Sequence, residues 1–248
     1  MIEILITMAG IIGAGKSSLT KILARDLGST PYFEPVKDNP VLPLFYKGNE
    51  IASKKRQEGD KNATNPYAFL LQIYFLNKRF KMIKQAMQDD NNVLDRSIYE
   101  DAIFMKMNAD EGNATDIEWE VYSSLLANMM EELPYAAHKK RPDLMVMIDV
   151  DYDTMIQRIK KRGREFEQVD KDPSLEQYYR RLLKYYDDWR DNYGESDLLV
   201  IDGTKYDFIG NLSDRDIVLN KIESRLVELG HLSADEYLKI RLRREPHG

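Results

Sequence analysis

Eight residues near the start of the chain constrain its fold more than any other feature. Residues 10–17 read Gly-Ile-Ile-Gly-Ala-Gly-Lys-Ser and match the pattern G-x-x-x-x-G-K-[ST] in full. An apolar stretch, residues 2–8, precedes the match, and residues 17–27 follow it with leucine and isoleucine on one helical face. A strand, a glycine-rich turn and a helix in this order direct backbone N–H groups and a helix N-terminus at phosphate oxygens. The sequence therefore predicts a phosphate-binding loop, hereafter the P-loop.

Each part of this loop has an expected task. Lys16 is expected to reach the β- and γ-phosphates of a nucleotide, and the Ser17 hydroxyl is expected to bind Mg²⁺. The other loop residues expected to contact ATP are Gly10, Gly13, Ala14, Gly15 and Ser18. The motif alone does not distinguish kinases from NTPases, GTPases and motors, so other residues must do so.

Short apolar runs alternate with long amphipathic stretches, which is typical of a parallel sheet covered by helices. The predicted strands are 2–8, 31–34, 92–95, 144–150 and 198–202. The predicted helices are 17–27, 67–87, 98–108, 117–133, 152–161, 175–192, 213–229 and a short one at 234–241. We expect an α/β fold with five parallel strands and helices on both faces, in a single domain over residues 1–230.

Two segments depart from this alternation. Residues 47–65 are polar and charged, and we expect a mobile surface loop there. Residues 231–248 are expected to form a C-terminal extension with a basic tail.

Composition narrows the class of protein. A net charge of −6 argues against broad nucleic-acid binding, because no basic stripe is available to neutralise many phosphates. The 248 residues include no cysteine, which excludes disulfides and thiolate metal sites and suits a reducing compartment. No run of 18 apolar residues exists to span a membrane. We expect a cytoplasmic enzyme without nucleic-acid or membrane partners.

Acidic residues stand at the ends of two predicted strands, where ligands collect in open α/β sheets. Glu34 could accept a hydroxyl proton, or it could be an ordinary strand-end acid. Asp95 could bind Mg²⁺ or its water shell while Arg96 holds developing phosphate charge. The alternative for this second pair is a local ion pair.

Gln72 and Arg79 lie seven residues apart in the predicted helix 67–87, so both point from one face. An amide and a guanidinium on an aromatic-lined wall are suited to the edge of a flat base. The alternative is a solvated helix face with an incidental glutamine.

The densest basic cluster follows the fourth strand and contains Arg158, Arg162 and Arg164. With Gly163 as a hinge, it could close over phosphates as a lid across residues 158–170. The alternative is a basic helix end that complements the helix dipole.

In their order and spacing, these segments resemble the deoxyribonucleoside kinase family, especially its bacterial deoxyadenosine/deoxyguanosine kinases. The resemblance covers roughly residues 2–208. Besides the P-loop and the basic cluster, it is carried by Glu34-Pro35-Val36, Tyr46, Phe69-Leu70-Leu71-Gln72, Arg79, Asp95-Arg96-Ser97, Tyr99, Asp101 and Glu167. It implies a P-loop kinase fold, ATP as phosphate donor, Mg²⁺, and a homodimer packed through helices 98–108 and 117–133.

The resemblance also implies roles for residues on the acceptor side. Glu34 looks like the general base for the 5′-hydroxyl of a deoxynucleoside, and Arg96 resembles the arginine beside the 5′-oxygen. Gln72 looks like the bidentate partner of the base. The remaining implied acceptor contacts are Arg79 and Asp101 at a second polar edge of the base, and Tyr46 and Glu167 at the sugar 3′-hydroxyl.

On the donor side, Arg158, Arg162 and Arg164 resemble lid groups on the phosphates, and Asp207-Phe208 is similar to the donor-base loop. Residues 47–65 depart from the family pattern, in which this segment is about fifteen residues shorter.

Two other classes of protein share parts of this pattern. A nucleoside monophosphate kinase of the thymidylate kinase type also has a P-loop and an arginine lid. It would need a cation where this chain has Glu34, because a carboxylate repels an acceptor phosphate. A slowly hydrolysing switch or assembly module would need no base pocket.

A purine deoxynucleoside, deoxyadenosine or deoxyguanosine, is the acceptor that we expect.

Overall fold

The computed structural model describes residues 4–34, 39–88, 91–136 and 141–244, and at 133–136 it describes the backbone only. The strands are β1 (Ile4–Ala9), β2 (Thr30–Tyr32), β3 (Asn91–Asp95), β4 (Leu144–Asp149) and β5 (Leu198–Asp202). The α-helices of these residues are α1 (Lys16–Leu27), α2 (Leu42–Gln57), α3 (Ala68–Ala86), α4 (Asp101–Asp110), α5 (Asp116–Ala136), α6 (Tyr152–Arg162), α7 (Ser174–Asn192), α8 (Leu212–Glu228) and α9 (Ala234–Arg244). Short 3₁₀ turns occupy Ile98–Glu100 and Glu165–Glu167.

The five strands form one parallel sheet in the order β2-β3-β1-β4-β5. β1 lies at the centre, where Ile6 is paired with Val93 on one side and Leu144 on the other. Every residue of β1 is buried, which explains its continuous apolar run, because a central parallel strand is covered on both faces. The predicted five-stranded parallel sheet is confirmed.

Helices cover both faces of the sheet, as predicted. Alternate side chains of β1 point to opposite faces. Ile4 and Ile6 belong to one buried cluster, which includes residues of α1, α6, α7 and α8, and Leu5 belongs to a second, which includes residues of α2 to α5. Within the described part of the chain, no helix is both long enough and apolar enough to cross a bilayer.

The expectation of a loop over residues 47–65 is wrong for its first half, because α2 continues to Gln57. The helix buries only a narrow stripe, Phe45, Gly48 and Ala52, of which two residues are too small to give a clear apolar pattern. Its basic end is favourable, since cations stabilise a helix C-terminus.

The second half of this segment is tied down by buried polar contacts. Asn65 is 1% exposed, and its amide donates to the Phe45 carbonyl at 2.8 Å and to Asn49 at 2.6 Å. The Asn65 N–H donates to the Asn113 carbonyl at 2.9 Å, and at the surface Arg56 of α2 donates to the Gly112 carbonyl at 2.7 Å. Residues 58–67 therefore fasten α2 to the turn between α4 and α5.

The C-terminal region adds a helix to the core. α9 extends to Arg244, three residues beyond the predicted helix end. Leu232 and Ile240 join the core beneath α1 and α8. Arg244 pairs with Asp26 of α1 at 3.3 Å and contacts Glu223 of α8.

Candidate active site

The P-loop connects the central strand to α1, and its backbone requires glycine. Gly10, Gly13 and Gly15 have φ values of 137°, 80° and 102°, which L-residues with side chains rarely adopt. A Cβ on Gly10 would lie 2.6 Å from the Ile148 carbonyl oxygen of β4. Tight packing between β1 and β4 thus holds the loop at the carboxyl end of the sheet.

Lys16 is buried under this loop. Its Nζ donates to the carbonyl oxygens of Gly10 at 2.6 Å and Ile11 at 3.0 Å. Burial, assisted by the charge of Arg96, lowers the pKa of Lys16 to about 8. The remaining predicted loop contacts are buried Ala14, exposed Ser17 and half-buried Ser18.

Ser17 and Asp95 meet at the first turn of α1. Asp95 ends β3 beside Met8 of β1, and its Oδ2 accepts a hydrogen bond from the Ser17 hydroxyl. Burial raises the pKa of Asp95, against the pull of Lys16. The local-ion-pair alternative does not describe this carboxylate, whose hydrogen-bond partner is Ser17.

A hydroxyl and a carboxylate are hard oxygen ligands and fit Mg²⁺. The described residues hold no cluster of three or more His, Asp or Glu side chains that would enclose a metal by themselves. Mg²⁺ usually takes one or two protein ligands and completes its shell with phosphate oxygens and water.

Glu34 lies just beyond β2, between two arginines. Arg79 of α3 contacts its Oε1, and the Arg96 Nε donates to its Oε2 at 3.2 Å. Burial alone would raise the pKa of Glu34, but the charges of Arg79 and Arg96 outweigh it and lower the pKa to about 2. Pro35 and Val36, which carry part of the resemblance, lie outside the described residues.

Gln72 and Arg79, the polar pair predicted on one face of α3, both lie on its buried face, with Gln72 4% and Arg79 3% exposed. Arg79 also contacts Asp101, which is fully buried at the start of α4. The Phe75 ring lies under the guanidinium, 4.9 Å from centroid to Cζ. This burial contradicts the solvated-face alternative.

Tyr46 and Glu167 are brought close together from α2 and the lid. The Tyr46 ring lies 5.0 Å from that of Phe166, and burial together with the Glu167 charge raises the pKa of Tyr46. Glu167 accepts from Arg162 at 2.5 Å and from Arg164 at 3.3 Å. Two predicted lid arginines are thus paired with a predicted sugar ligand.

Arg158 is bound to the P-loop instead. It donates to the carbonyl oxygens of Ala14 at 2.8 Å and Gly203 at 2.6 Å. Phe208 is fully buried, and a Cβ on Gly15 would lie 3.0 Å from its ring. Asp207 accepts from the Gly210 N–H at 2.9 Å. Arg158 and Phe208 therefore pack against the P-loop and support its backbone.

Sequence reasoning missed two residues of the site, Glu100 and Tyr186. Glu100 is fully buried and accepts from the Gly10 N–H at 3.1 Å. The Tyr186 hydroxyl of α7 accepts from Arg96 Nη1 at 2.9 Å. The only sequence signal for Glu100 is its position three residues after Ser97, which predicts no more than a turn cap.

A P-loop on a central parallel strand, with a serine, a carboxylate and Arg158 beside it, defines a phosphotransferase of the P-loop kinase class. The family model described as deoxynucleoside kinase matches residues 6–228. The chain belongs to the deoxynucleoside kinase family.

Its relatives agree with this assignment. The chain is 55% identical over 230 residues to a deoxyguanosine kinase of Lactobacillus johnsonii, covering 93% of this chain and 96% of that one. It is 50% identical over 232 residues to a deoxyadenosine kinase of Lactobacillus acidophilus, covering 94% and 100%. The structure of deoxyadenosine kinase from M. mycoides with bound dCTP superposes with a TM-score of 0.66 at 29% identity, covering 88% and 98%. These relatives do not favour the monophosphate kinase or switch alternatives.

Proposed function

We propose that this enzyme transfers the γ-phosphoryl group of ATP to the 5′-hydroxyl of a purine deoxynucleoside, deoxyguanosine or deoxyadenosine. The observation that carries the proposal is the position of Glu34, ionised and half-buried between Arg79 and Arg96 at the same edge of the sheet as the P-loop. A carboxylate there suits a neutral hydroxyl acceptor and would repel an acceptor phosphate.

On the donor side, the P-loop N–H groups and Lys16 hold the phosphates, with Ser18 at the first turn of α1. Arg158, Arg162 and Arg164 neutralise charge on the transferred group. Arg162 and Arg164 must leave Glu167 at least in part to do so, which links phosphate binding to movement of the lid. The turn at Asp207 and Phe208 borders the adenine end of the donor. Ser17 and Asp95 would hold Mg²⁺, which supplies charge neutralisation between the phosphates.

On the acceptor side, Gln72 binds the base bidentately while Arg79 and Asp101 bind its second polar edge. This set offers both donors and acceptors, as a purine edge requires. Tyr46 and Glu167 hold the sugar 3′-hydroxyl. Two relatives, at 55% and 50% identity, are a deoxyguanosine kinase and a deoxyadenosine kinase, which also supports a purine base in the acceptor.

Glu34 orients the 5′-hydroxyl and takes its proton. A carboxylate whose pKa is about 2 is a weak base. Phosphoryl transfer passes through a loose transition state with little bond formation to the nucleophile. The proton is therefore expected to move late, once the bond to phosphorus has made it strongly acidic. Arg96 stabilises the charge that develops between Glu34 and the phosphoryl group.

We further propose a cytoplasmic homodimer formed through α4 and α5. The α5 surface exposes Ile117 at 71% and Val121 at 51%, one helical turn apart. Burial of these side chains against a second copy would remove apolar surface from water. Light scattering on the purified chain and on a variant with Ile117→Lys and Val121→Lys tests this interface.

A transfer assay from [γ-³²P]ATP tests the proposed reaction. It compares deoxyguanosine, deoxyadenosine, deoxycytidine and thymidine with the four corresponding monophosphates. We expect a purine deoxynucleoside to give the highest kcat/KM. Thymidine as the best acceptor would overturn the purine assignment, and a monophosphate as the best acceptor would overturn the hydroxyl assignment.

A further inference from the structure

Glu100 lies where the donor and acceptor halves of the site meet, and the proposed function leaves it unused. It ends the 3₁₀ turn Ile98–Glu100, four residues after Arg96, and is 0% exposed. Transfer of a carboxylate out of water is costly unless hydrogen bonds replace the lost hydration. The contacts of Glu100 therefore indicate the role of this buried side chain.

Its two oxygens face opposite halves of the site. Oε2 accepts from the Gly10 N–H at 3.1 Å, and Oε1 accepts from Arg96 Nη1 at 3.3 Å. Arg96 Nη1 also donates to the Tyr186 hydroxyl at 2.9 Å. One carboxylate thus joins the first residue of the P-loop to the arginine that contacts Glu34.

Arg96 needs such support because its backbone is strained. Its φ of 90° lies in the left-handed region, and among the described residues other than glycine no other has a positive φ. Such a conformation persists only when surrounding contacts over-determine it. Glu100, Tyr186 and Glu34 are the side chains bonded to its guanidinium.

A purely local role for Glu100, as the cap of its own turn, does not explain its contacts with Gly10 and Arg96. Ser97 and Glu100 form a capping box, in which each side chain bonds to the other's backbone N–H. Thr115 with Glu118 and Ser233 with Glu236 make the same exchange at the surface of the chain. Turn capping thus requires no buried carboxylate, and neither surface pair reaches across to another element.

We propose that Glu100 is a positioning residue, which fixes the distance and orientation of the Arg96 guanidinium relative to the P-loop. It contacts neither reacting group and acts through Arg96. The inference rests on the proposed role of Arg96 in stabilising the transferred charge.

A double-mutant cycle with Glu100→Gln and Arg96→Gln tests the inference, with kcat and both KM values measured for each variant. The amide keeps the volume of Glu100 but removes its charge and one acceptor. Loss of a hydrogen bond to a charged group corresponds to roughly a 10- to 100-fold fall in kcat. We expect this fall for Glu100→Gln with little change in either KM, and no additional fall when Arg96 is already Gln.

Glu223→Gln is the matched control, because Glu223 is also a fully buried glutamate bonded to an arginine, but lies on α8. It is expected to leave kcat within about twofold, because Glu223 contacts no residue of the candidate site. Tyr186→Phe is the second variant, since it changes neither the charge nor much of the volume of the side chain. It is expected to lower kcat when residue 96 is Arg and to have no further effect when residue 96 is Gln.

Each outcome distinguishes the inference from the function on which it rests. Normal kcat in Arg96→Gln would overturn the role of Arg96 itself. Reduced kcat in Arg96→Gln with normal kcat in Glu100→Gln, or with independent multiplying effects, would overturn the positioning role alone. If Glu100→Gln does not fold, Tyr186→Phe in the two Arg96 backgrounds decides the question by the same criteria.

Discussion

The guanidinium of Arg79 lies against the carboxylate of Glu34, so a residue expected to bind the base also controls the charge of the residue expected to accept the proton. Arg79 contacts Asp101 at the same time. The proposed base-binding position and the proposed proton acceptor are therefore electrostatically connected through one side chain.

Replacement of Glu34 by Gln should affect turnover more than binding. The amide keeps the shape of the side chain but cannot accept a proton, and general-base catalysis contributes roughly 10²- to 10⁴-fold in rate. We expect kcat to fall within that range while the affinity for ATP, measured by calorimetry, stays near wild type. Near-normal turnover would eliminate Glu34 as the base.

The pH dependence of kcat/KM should report the Arg79 contact. With a pKa of about 2, Glu34 is ionised throughout the neutral and mildly acidic range, so it should produce no acid limb between about pH 4 and 7. Arg79→Gln removes a cation, which raises the pKa of Glu34, and an acid limb should enter this range. Arg180→Gln, at an exposed pair with Glu176, should leave the profile unchanged.

The same pKa makes a prediction for stability. Glu34 is more acidic in the folded state than its ordinary value of 4.5, so its contribution is complete above that pH and is lost as the pH falls toward 2. The free energy of unfolding of Glu34→Gln and wild type should therefore converge on acidification. A difference that stays constant from neutral pH to about pH 3 would contradict the assignment.

Gly10→Ala should destabilise the P-loop. The substitution places a Cβ 2.6 Å from a β4 carbonyl oxygen at a φ of 137°. Strain of this kind costs about 1–3 kcal/mol, and ATP binding should weaken as well. Gly28→Ala is the control, since Gly28 has a φ of 68° with open space around it, and its cost should be smaller and confined to stability. Equal effects of both substitutions on ATP binding would contradict this prediction.

Asn65→Ala should impair the acceptor side selectively. Asn65 holds the carbonyl of Phe45, the residue before Tyr46. Its loss leaves α2 less firmly placed, so the KM for the deoxynucleoside should rise several-fold while that for ATP changes little. Asn62→Ala, at an exposed position in the same segment, serves as the control. A parallel rise in both KM values would indicate general destabilisation instead.

Arg244→Ala should lower the free energy of unfolding by about 3 kcal/mol, because it leaves the buried carboxyl pair of Asp26 and Glu223 without its cation. Arg243→Ala, on the exposed side of the same helix, should cost far less. Chemical denaturation measures both. A loss in Arg244→Ala no larger than that in Arg243→Ala would contradict this prediction.

The sheet and the P-loop could be predicted from the sequence because each rests on a strong local pattern. Continuous apolar strands and a full eight-residue motif leave few alternatives. Helix α2 could not be predicted in the same way, since it packs through Gly48 and Ala52, whose burial depends on Asn65 and other distant partners.

The same distinction applies to the candidate site, where local sequence patterns predict the position of some residues but not of others. Glu34, Gln72 and Asp95 stand at strand ends or on a periodic helix, so their placement followed from spacing. Glu100 owes its position to hydrogen bonds with Gly10 and Arg96, which only the packed sheet brings within reach. Burial of Phe208 beneath Gly15 depends on contact between segments almost two hundred residues apart.

The order of the strands has a consequence for how such enzymes can diversify. The groups proposed for the nucleotide donor follow the central strand and β4, whereas those proposed for the base lie on α3 and α4, over the β2–β3 side. Substitutions in the two helices can change which nucleobase is accepted without rebuilding the phosphate machinery. After a gene duplication, one copy could therefore acquire a new base preference while both keep the same donor, which would give a cell paired salvage activities from a single ancestor.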